Sequence, residues 1–394
     1  MNVLIIAPHI PRKPLSGGSV GIYHFAKRWS LTHRVTIVAP VFSGIDNDFI
    51  ASSAEDMGVE ICPVPVQTES NTARIINHLL RVAPGKPFVL YYPEITALLH
   101  KLIESRRFDV VDIEGTGFGG TLYLQAFHKL SSSTRVILTF YDVMWNWWKR
   151  EFLKSGNPLS FIRWLTYRFY ETRFVRQADC CVFMSHDDRD ILERIVKPKK
   201  ALVVPHGIET GHFAQTLVPK TKEVLFVGSF HHKPNMHAAR WLLNDIWPRL
   251  KEQEADAGMT LVGLDPPPEL CKMAQSAGVS VAGNVYDIKP YYERSEVVVV
   301  PVQVGGGIRI KILEAGAARR PVVTTRIGAE GLPIVPGTHS IVADSAEDIV
   351  AGIRQLFHDH LLAQQLATNL HDLVKREFDW DNLAKQKESA FFPD

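Results

Sequence analysis

The chain has 394 residues, 46% of them hydrophobic and 22% charged, and a formal net charge of +2. This composition is that of a globular protein long enough for two domains with separate cores. The near-neutral charge argues against a nucleic-acid-binding protein, and no apolar run approaches the roughly 18 residues of a membrane span. The four cysteines show no metal-ligand spacing or disulfide density, and the N-terminus has no basic leader, so we expect a protein of the reducing cytoplasm.

The first half of the chain alternates β-branched runs with helix-periodic segments, which predicts a parallel sheet covered by helices. The predicted strands are 3–7, 34–39, 60–66, 108–114, 134–140, 178–184 and 201–204, and the predicted helices are 20–31, 72–80 and 186–195. Gly17 and Gly18 lie in the irregular loop before the first helix, without the GxGxxG spacing of dinucleotide folds. We expect this loop to line a cleft between the domains; the alternative is a tight turn alone.

Two carboxylates close the predicted strand 108–114. Asp112 and Glu114 lie two residues apart and therefore on the same side of the strand. At the carboxyl end of a parallel strand they would face the cleft, where either could orient an acceptor hydroxyl or act as a base. The alternative is a pair of strand-end charges in solvent. Tyr141 and Asp142 follow the next strand with the same ambiguity.

Residues 145–176 combine aromatic and basic side chains. They include four of the eight tryptophans and seven Lys or Arg, against only Glu151 and Glu171. On helices this composition suits a membrane interface or a lipid-linked acceptor. The alternative is an ordinary helix pair whose aromatic residues are core and whose charges are solvated.

The second half of the chain repeats the alternation after a polar, irregular connection at 209–222. We expect strands at 223–228, 259–262, 279–282, 297–300 and 322–325, with helices at 236–250, 346–357 and 360–378. The fold class predicted is α/β, with two doubly wound Rossmann-like domains facing a cleft, and that cleft is the expected site.

A glycine loop between the strands 297–300 and 322–325 suggests phosphate binding. Gly305 to Gly307 would bring backbone N–H groups close to an anion, at the start of a helix whose N-terminus is electropositive. Arg309 and Lys311 add positive charge, and the carboxylate of Glu314 suits the hydroxyls of a ribose. The segment therefore predicts a nucleoside diphosphate site, and the alternative is a glycine turn beside a solvated charged face.

Taken in order, the motifs resemble those of retaining glycosyltransferases of the GT-B fold, in glycosyltransferase family 4 (group 1 glycosyltransferases). The segments that carry the resemblance are 16–18, 178–185, 205–209, 227–229, 283–287, 297–325 and 378–381. The resemblance implies an acceptor-side domain at 1–205, on which residues 378–394 pack back, and a donor domain at 206–377.

The resemblance also implies roles for individual residues. Gly305 to Gly307 with Ile308 would hold the donor diphosphate, and Glu314 matches the ribose-binding glutamate of the family. The remaining residues expected around the donor are Gly17, Gly18, Gly228, Ser229, Lys233, Thr325 and Gly328. The expected catalytic group is Glu114, Asp112, Arg309 and Lys311.

The sequence departs from the family pattern at two positions. Relatives commonly carry a second glutamate eight positions before the ribose-binding one, where this chain has Gly306. That residue usually contacts the donor sugar, so the missing carboxylate leaves the identity of the sugar open. Ser229 stands where an arginine is frequent, and our hypothesis is that Arg309 and Lys311 replace its charge.

The activity implied is transfer of a hexose, with retention, from a UDP- or GDP-linked sugar to a hydroxyl in glycan, polysaccharide or glycolipid synthesis. No cofactor and no metal are expected, because the D-x-D patterns at 46–48 and 379–381 lie away from the glycine loop. The partners expected are the nucleotide sugar, a glycan or lipid-linked acceptor, and a membrane touched by 145–176. The location would then be cytoplasmic, at the inner face of the membrane.

Three other classes of protein fit the same sequence. A nucleotide-sugar epimerase shares the architecture but needs acid and base groups around C2 of the sugar. A glucosyltransferase acting on nucleic acid would require a basic groove, against which the net charge of +2 argues. A non-catalytic sugar-nucleotide-binding relative is compatible with the missing glutamate at Gly306.

Overall fold

A computed structural model describes residues 1–11, 18–41, 46–66, 93–115, 134–213, 217–305 and 308–393. The chain divides into two compact units. Unit 1 comprises Met1–His206 and Leu383–Asp394, and unit 2 is Gly207–Asn382. The sequence analysis ended the first domain at residue 205, one residue before the structure does. It placed the return of the chain to this domain at residue 378, five residues before Leu383.

Unit 1 contains a parallel sheet of seven strands in the order β3-β2-β1-β4-β5-β6-β7. Its strands are β1 (Asn2–Ile6), β2 (Arg34–Val41), β3 (Glu60–Pro65), β4 (Val110–Glu114), β5 (Arg135–Phe140), β6 (Cys180–Phe183) and β7 (Ala201–Val203). The β-branched runs predicted these strands because a sheet covered on both faces buries nearly every strand residue. In β4 all five residues are buried.

The helices described in unit 1 include two that the sequence analysis missed. They are α1 (Gly18–Trp29), α2 (Asn47–Met57), α3 (Pro93–Ser105), α4 (Met144–Ser155), α5 (Pro158–Val175) and α6 (His186–Glu193). Periodicity overlooked α2, which buries only Ile50 and Met57 although Asp46 caps its start and Gly58 ends it in a left-handed conformation. The other missed helix is α3, and the predicted helix 72–80 lies outside the described residues.

Unit 2 contains a parallel sheet of six strands in the order β10-β9-β8-β11-β12-β13. Its strands are β8 (Glu223–Val227), β9 (Gly258–Gly263), β10 (Ser280–Gly283), β11 (Val297–Val300), β12 (Val322–Thr324) and β13 (Ile341–Val342). All five predicted strands agree with the structure within one residue at each end. The two-residue strand β13 was too short to predict.

The helices of the remaining chain follow the same alternation. They are α7 (Lys233–Trp241), α8 (Trp247–Gln253), α9 (Pro268–Ser276), α10 (Lys289–Arg294), α11 (Ile310–Ala317), α12 (Arg326–Ala329), α13 (Ala346–His358), α14 (His360–Glu377) and α15 (Trp380–Glu388). A π-helical segment, Leu242–Ile246, joins α7 to α8, so the predicted helix 236–250 is part of a longer helical run. Within the described ranges, no helix has the length and apolarity needed to cross a membrane.

The strand order reverses once in each sheet. The reversal falls between β1 and β4 in unit 1 and between β8 and β11 in unit 2. In open parallel sheets, loops diverge at the carboxyl edge of the reversal and leave a crevice in which ligands bind. The two reversal points therefore direct attention to the residues that follow β8 and β11, and to those that end β4.

Candidate functional site

The glycine loop of unit 2 lies at the reversal point of its sheet. β11 pairs with β8 through Val297–Val224 and Val298–Leu225. Both strands therefore deliver their loops to one edge, where Gly305 has a positive φ of 106° that favours glycine. Gly306 and Gly307 lie outside the described residues.

Arg309 joins this loop to the helix that follows. It occupies the N-cap position of α11, and its guanidinium Nη2 donates a hydrogen bond of 2.9 Å to the carbonyl of Gly305. Ile308, immediately before it, is half-buried and packs against the core of unit 2. The loop thus enters α11 with a cation beside the exposed backbone N–H groups of the first turn.

Lys311 extends from α11 toward the end of β8. Only 8% of Lys311 is exposed, and its ammonium lies 2.8 Å from Asn235 Oδ1 and 4.5 Å from the centre of the Phe226 ring. A Cβ on Gly228 would lie 2.9 Å from the ammonium nitrogen and from the Asn235 amide, so a larger residue there would displace these side chains. Burial lowers the pKa of Lys311 to about 7, although Glu314 opposes the shift.

Glu314 is held by a tyrosine from a neighbouring helix. The hydroxyl of Tyr292 donates a 2.7 Å hydrogen bond to Oε2 of Glu314. Burial raises the pKa of this carboxyl, and the bond from Tyr292 opposes the shift. The other oxygen, Oε1, makes no hydrogen bond to any residue that the structure describes, and it could accept one from a ligand hydroxyl.

The remaining residues predicted for this site lie at the ends of β8 and β12. Asn235 donates a 2.8 Å hydrogen bond to the carbonyl of Ser229, and the exposed Lys233 begins α7. Thr325 caps α12 by accepting a 2.9 Å bond from the Gly328 amide, and its hydroxyl donates to the carbonyl of Val302.

The structure thus brings together most of the residues predicted to bind the donor and two of the predicted catalytic group, Arg309 and Lys311. Those that surround the carboxyl ends of β8, β11 and β12 are Gly228, Ser229, Lys233, Gly305, Ile308, Arg309, Lys311, Glu314, Thr325 and Gly328. Two predicted residues belong to unit 1 instead. Gly18 is the first residue of α1, and Gly17 lies outside the described residues.

Asp112 and Glu114 share one side of β4, but they do not face solvent. Lys387, on α15, places its ammonium 2.8 Å from Asp112 Oδ2 and 2.7 Å from Glu114 Oε1. Asp112 and Lys387 are 0% exposed and Glu114 is 1% exposed. The expectation of two open strand-end carboxylates therefore needs correction, because the cation from the last helix closes over them.

Further partners complete the ion cluster in unit 1. The Thr139 hydroxyl donates to Asp112 at 3.0 Å, and the Tyr141 hydroxyl donates to Glu114 at 2.7 Å. Burial raises the pKa of Asp112 to about 7, against the attraction of Lys387. Burial alone would lower the pKa of Lys387, but the two carboxylates raise it above its ordinary value. The arrangement is that of a structural ion cluster.

Comparison with known families agrees with these features. A family model described as Glycosyltransferase Family 4 matches residues 15–212, about half of the chain. The chain belongs to glycosyltransferase family 4. A second model, described as Glycosyl transferases group 1, matches residues 221–359 and so includes the glycine loop and Glu314. The resemblance to family 4 and to group 1 glycosyltransferases is therefore confirmed.

Similarity to curated proteins is more distant. The chain is 24% identical over 228 residues to a glycogen synthase of Mycobacterium tuberculosis, covering 54% of each protein. It is 22% identical over 243 residues to an uncharacterized 44.6 kDa protein of the cps region of Klebsiella pneumoniae, covering 56% of this chain and 58% of that protein. The chain thus spans about half the length of the curated relatives it matches.

Solved structures of similar fold cover nearly the whole chain. Sucrose-phosphate synthase from Thermosynechococcus elongatus has a TM-score of 0.67 at 15% identity, covering 99% of this chain and 98% of that one. HepE from Anabaena, solved in complex with UDP, has a TM-score of 0.65 at 13% identity and covers 99% of both chains. At such identities the likeness shows the fold, and it confirms two Rossmann-like α/β domains of the GT-B type.

Three supporting residues of this family 4 glycosyltransferase escaped the sequence analysis. Asn235 and Tyr292 hold Lys311 and Glu314 from positions 76 and 22 residues away, and Lys387 lies 273 residues from Glu114. No local pattern reveals such pairs. The only sign of a buried Lys387 in the sequence was its position within an otherwise apolar helix face.

The D-x-D patterns of this family member have structural explanations. Asp46 caps α2 by accepting from the Asp48 amide at 3.2 Å, and Asp379 accepts from the Asp381 amide at 2.9 Å. Within the described ranges, no group of three or more His, Cys, Asp or Glu side chains is placed to hold a metal ion. The reaction's independence of metals stays a prediction.

Proposed function

We propose that this family 4 member is a retaining hexosyltransferase, which moves a sugar from a nucleoside-diphosphate sugar to a hydroxyl acceptor. One observation carries the proposal: a glycine loop, a buried lysine and an oriented glutamate meet at the reversal point of the unit 2 sheet. Each of these groups complements a different part of a nucleoside diphosphate. The solved structure of HepE with UDP supports the same class of donor.

The diphosphate would bind where the glycine loop enters α11. Exposed backbone N–H groups and the electropositive helix start favour an anion at that position. Lys311 and Arg309 would supply the positive charge that relatives obtain from the position of Ser229. Lys311 suits this role because the only hydrogen-bond partner of its ammonium group among the described residues is the neutral amide of Asn235.

The nucleoside and sugar would be held by the surrounding residues. Tyr292 fixes one oxygen of Glu314, so the other can accept hydrogen bonds from the ribose hydroxyls. Thr325 and Gly328 would line the nucleotide pocket from the end of β12, and Lys233 would lie near the phosphates. We keep Gly17, Gly18, Gly306 and Gly307 as predicted donor contacts.

The reaction would be accelerated mainly by electrostatics. Negative charge grows on the leaving diphosphate in the transition state, and preorganised N–H groups and cations stabilise that charge. We propose that the leaving phosphate takes the acceptor proton, without a protein nucleophile or a metal ion. Asp112 and Glu114 stay outside this proposal because Lys387 holds both carboxylates within the buried cluster.

The finer assignments of partner and place are also proposals. We expect a hydroxyl of a glycan or of a lipid-linked acceptor, in polysaccharide or glycolipid synthesis. The protein would act in the cytoplasm, at the inner face of the membrane, since the aromatic and basic segment 145–176 would bring it to a lipid-linked substrate.

The decisive experiment measures nucleoside diphosphate released from UDP-, GDP-, ADP- and dTDP-sugars, with and without EDTA. We expect slow release from one donor, unaffected by EDTA and lost in Glu314→Ala. The exposed Glu252, on α8, provides a matched control in Glu252→Ala, which should release product at the wild-type rate.

The outcomes separate the possible classes of protein. Nucleotide binding without turnover, even with a panel of glycan and lipid-linked acceptors, would indicate a non-catalytic relative. A donor sugar converted to its epimer, detected by product analysis, would indicate the epimerase. If no nucleotide raised the melting temperature of the wild-type protein, the proposed donor site itself would be wrong.

A further inference from the structure

The helices α4 and α5 form a hairpin that is apolar on both sides. Gly156 ends α4 with a φ of 65°, and Asn157 caps α5 by accepting a 2.9 Å bond from the Leu159 amide. The inner side packs into the core of unit 1 through Trp145, Tyr167, Tyr170 and Phe174. These aromatic residues agree with the alternative that the segment is an ordinary helix pair with an aromatic core. They explain only the inner side of the hairpin.

The outer side of the hairpin exposes large apolar residues. On α5, Ile162, Leu165 and Phe169 are 50%, 47% and 54% exposed, and their spacing of three and four residues places them on one face. On α4, Trp147 and Leu153 are 49% and 70% exposed. We call these five side chains the hairpin surface. Isolated exposed apolar residues are ordinary, but several on one helix face, such as Ile162, Leu165 and Phe169, mark an interaction site.

Cations outnumber carboxylates on the hairpin. Exposed basic residues that make no ion pair within the described part of the chain are Arg150, Lys154, Arg168, Arg173 and Arg176. One of the two acidic residues of the hairpin, Glu171, is buried and accepts bonds of 3.2 Å from the Met144 and Trp145 amides. It caps α4 and therefore cannot neutralise the outer side.

We infer that the hairpin surface docks onto the headgroup region of an anionic lipid bilayer. Tryptophan and aliphatic side chains partition into the boundary of the acyl chains, while long arginine and lysine side chains reach the phosphates. Anionic lipids complement the unpaired cations. A second copy of this chain fits less well, because a twofold interface would oppose the same cations to one another.

This inference deepens the proposed contact of 145–176 with a membrane, and it does not depend on the donor site. Every residue of the hairpin surface belongs to unit 1, whereas the donor residues Lys311 and Glu314 belong to unit 2. Vesicle binding can therefore fail while nucleotide binding succeeds, and nucleotide binding can fail while vesicle binding succeeds. The two proposals are tested by separate measurements on the same purified chain.

Vesicle sedimentation of the full chain tests the inference. The probes are vesicles of phosphatidylcholine alone and vesicles with about one third phosphatidylglycerol, at low and high salt. We expect binding to the anionic vesicles at low salt, weakened by high salt. Arg168→Gln combined with Arg173→Gln should weaken binding roughly 25-fold, since each cation near an anionic surface contributes about fivefold. Ile162→Ser combined with Phe169→Ser should weaken it by about tenfold or more.

Matched controls use exposed residues away from the hairpin. Leu31→Ser removes a side chain that is 82% exposed in unit 1, and Lys101→Gln with Lys272→Gln removes two exposed cations. Both controls should bind vesicles as the wild type does, and thermal unfolding should confirm that every variant is folded. Three outcomes would each overturn the inference. These are no vesicle binding by the wild type, equal binding of the wild type to both vesicle types, and binding of the hairpin variants as strong as that of the wild type. A dimer detected by light scattering and lost in Phe169→Ser would assign the surface to a second copy of the chain.

Discussion

Each unit buries a lysine beside the reversal point of its sheet, and the two lysines differ in their partners. In unit 1, Lys387 contacts the carboxylates of Asp112 and Glu114, which raise its pKa despite its burial. In unit 2, Lys311 contacts the neutral amide of Asn235, and burial lowers its pKa to about 7. The same side chain thus occupies equivalent regions of two similar sheets with opposite electrostatic consequences.

The comparison separates a structural cation from one available to a ligand. Lys387 has its counter-charges within unit 1, so an added anion would gain little from it. Folding already removes most of the water around the ammonium of Lys311, but its hydrogen-bond partner is neutral. A diphosphate would provide the missing counter-charge. Four substitutions or conditions test this difference, and the largest effect is expected in unit 1.

Lys387→Met should lower the free energy of unfolding by about 3–5 kcal/mol, because it leaves two buried carboxylates without their cation. Urea denaturation of the full chain measures the change. Lys385→Met, at an exposed position of the same helix, is the control and should be close to neutral. A loss below about 1 kcal/mol for Lys387→Met would mean that the cluster relaxes by protonation or by admitting water, and the contrast with Lys311 would disappear.

Lys311→Met should have the opposite pattern. Removing a buried cation relieves desolvation while the lost bond to Asn235 costs free energy, so we expect stability to change by less than about 1 kcal/mol. The affinity for the nucleoside diphosphate of the active donor should fall roughly 10- to 100-fold, the magnitude of a charge-assisted hydrogen bond. Calorimetric titration measures the affinity, with Lys272→Met as the exposed control in unit 2. Unchanged affinity would remove Lys311 from the donor site.

The sequence predicted the strands of both sheets well because β-branched runs are directly visible in it. It also located the glycine loop and Glu314, which lie within one local segment. It could not predict the difference between the two lysines, because Lys387 meets Glu114 across 273 residues and Lys311 meets Asn235 across 76. Carboxylates that end a parallel strand resemble catalytic groups until a distant cation is found to cover them.

The hairpin shows a second limit of sequence patterns. Composition identified 145–176 as aromatic and basic, but it left open whether the aromatic residues belong to the core or to a membrane interface. In α5, Tyr167 and Phe174 face the core while Ile162 and Phe169 are exposed, so apolar residues occupy both faces. Periodicity fails when a helix has two apolar sides, and only the exposed fractions of the side chains separate core from surface.

Donor affinity should depend on pH through Lys311. Below its pKa of about 7 the ammonium is charged and its contribution to affinity is constant. Above pH 7 binding must take up a proton, so affinity should fall by up to about tenfold per pH unit.

The stability of the ligand-free protein should change with pH in the opposite direction. Because the folded pKa lies below the unfolded value of 10.5, the unfolded chain binds more protons between pH 7 and 10.5, and stability from this group rises with pH across that window.

Calorimetry in buffers of different ionisation enthalpy detects the proton uptake, and Lys311→Met provides the control because the phosphates of the nucleotide also titrate. The variant should lose the part of the pH dependence that lies above pH 7. If wild type and variant gave the same profile, the ammonium of Lys311 would already be charged before the ligand binds.

Arg309→Ala should produce the smallest effect, roughly a two- to fivefold loss of diphosphate affinity. Arg309 is half-buried and already donates to the carbonyl of Gly305, so part of its charge is screened and part of its hydrogen-bonding capacity is used. Arg309→Lys should recover most of the loss if charge at the start of α11 matters, and little of it if the guanidinium mainly holds the glycine loop. An effect on affinity as large as that of Lys311→Met would show that a half-buried cation and a buried one contribute equally, and the distinction drawn from burial would then fail at this site.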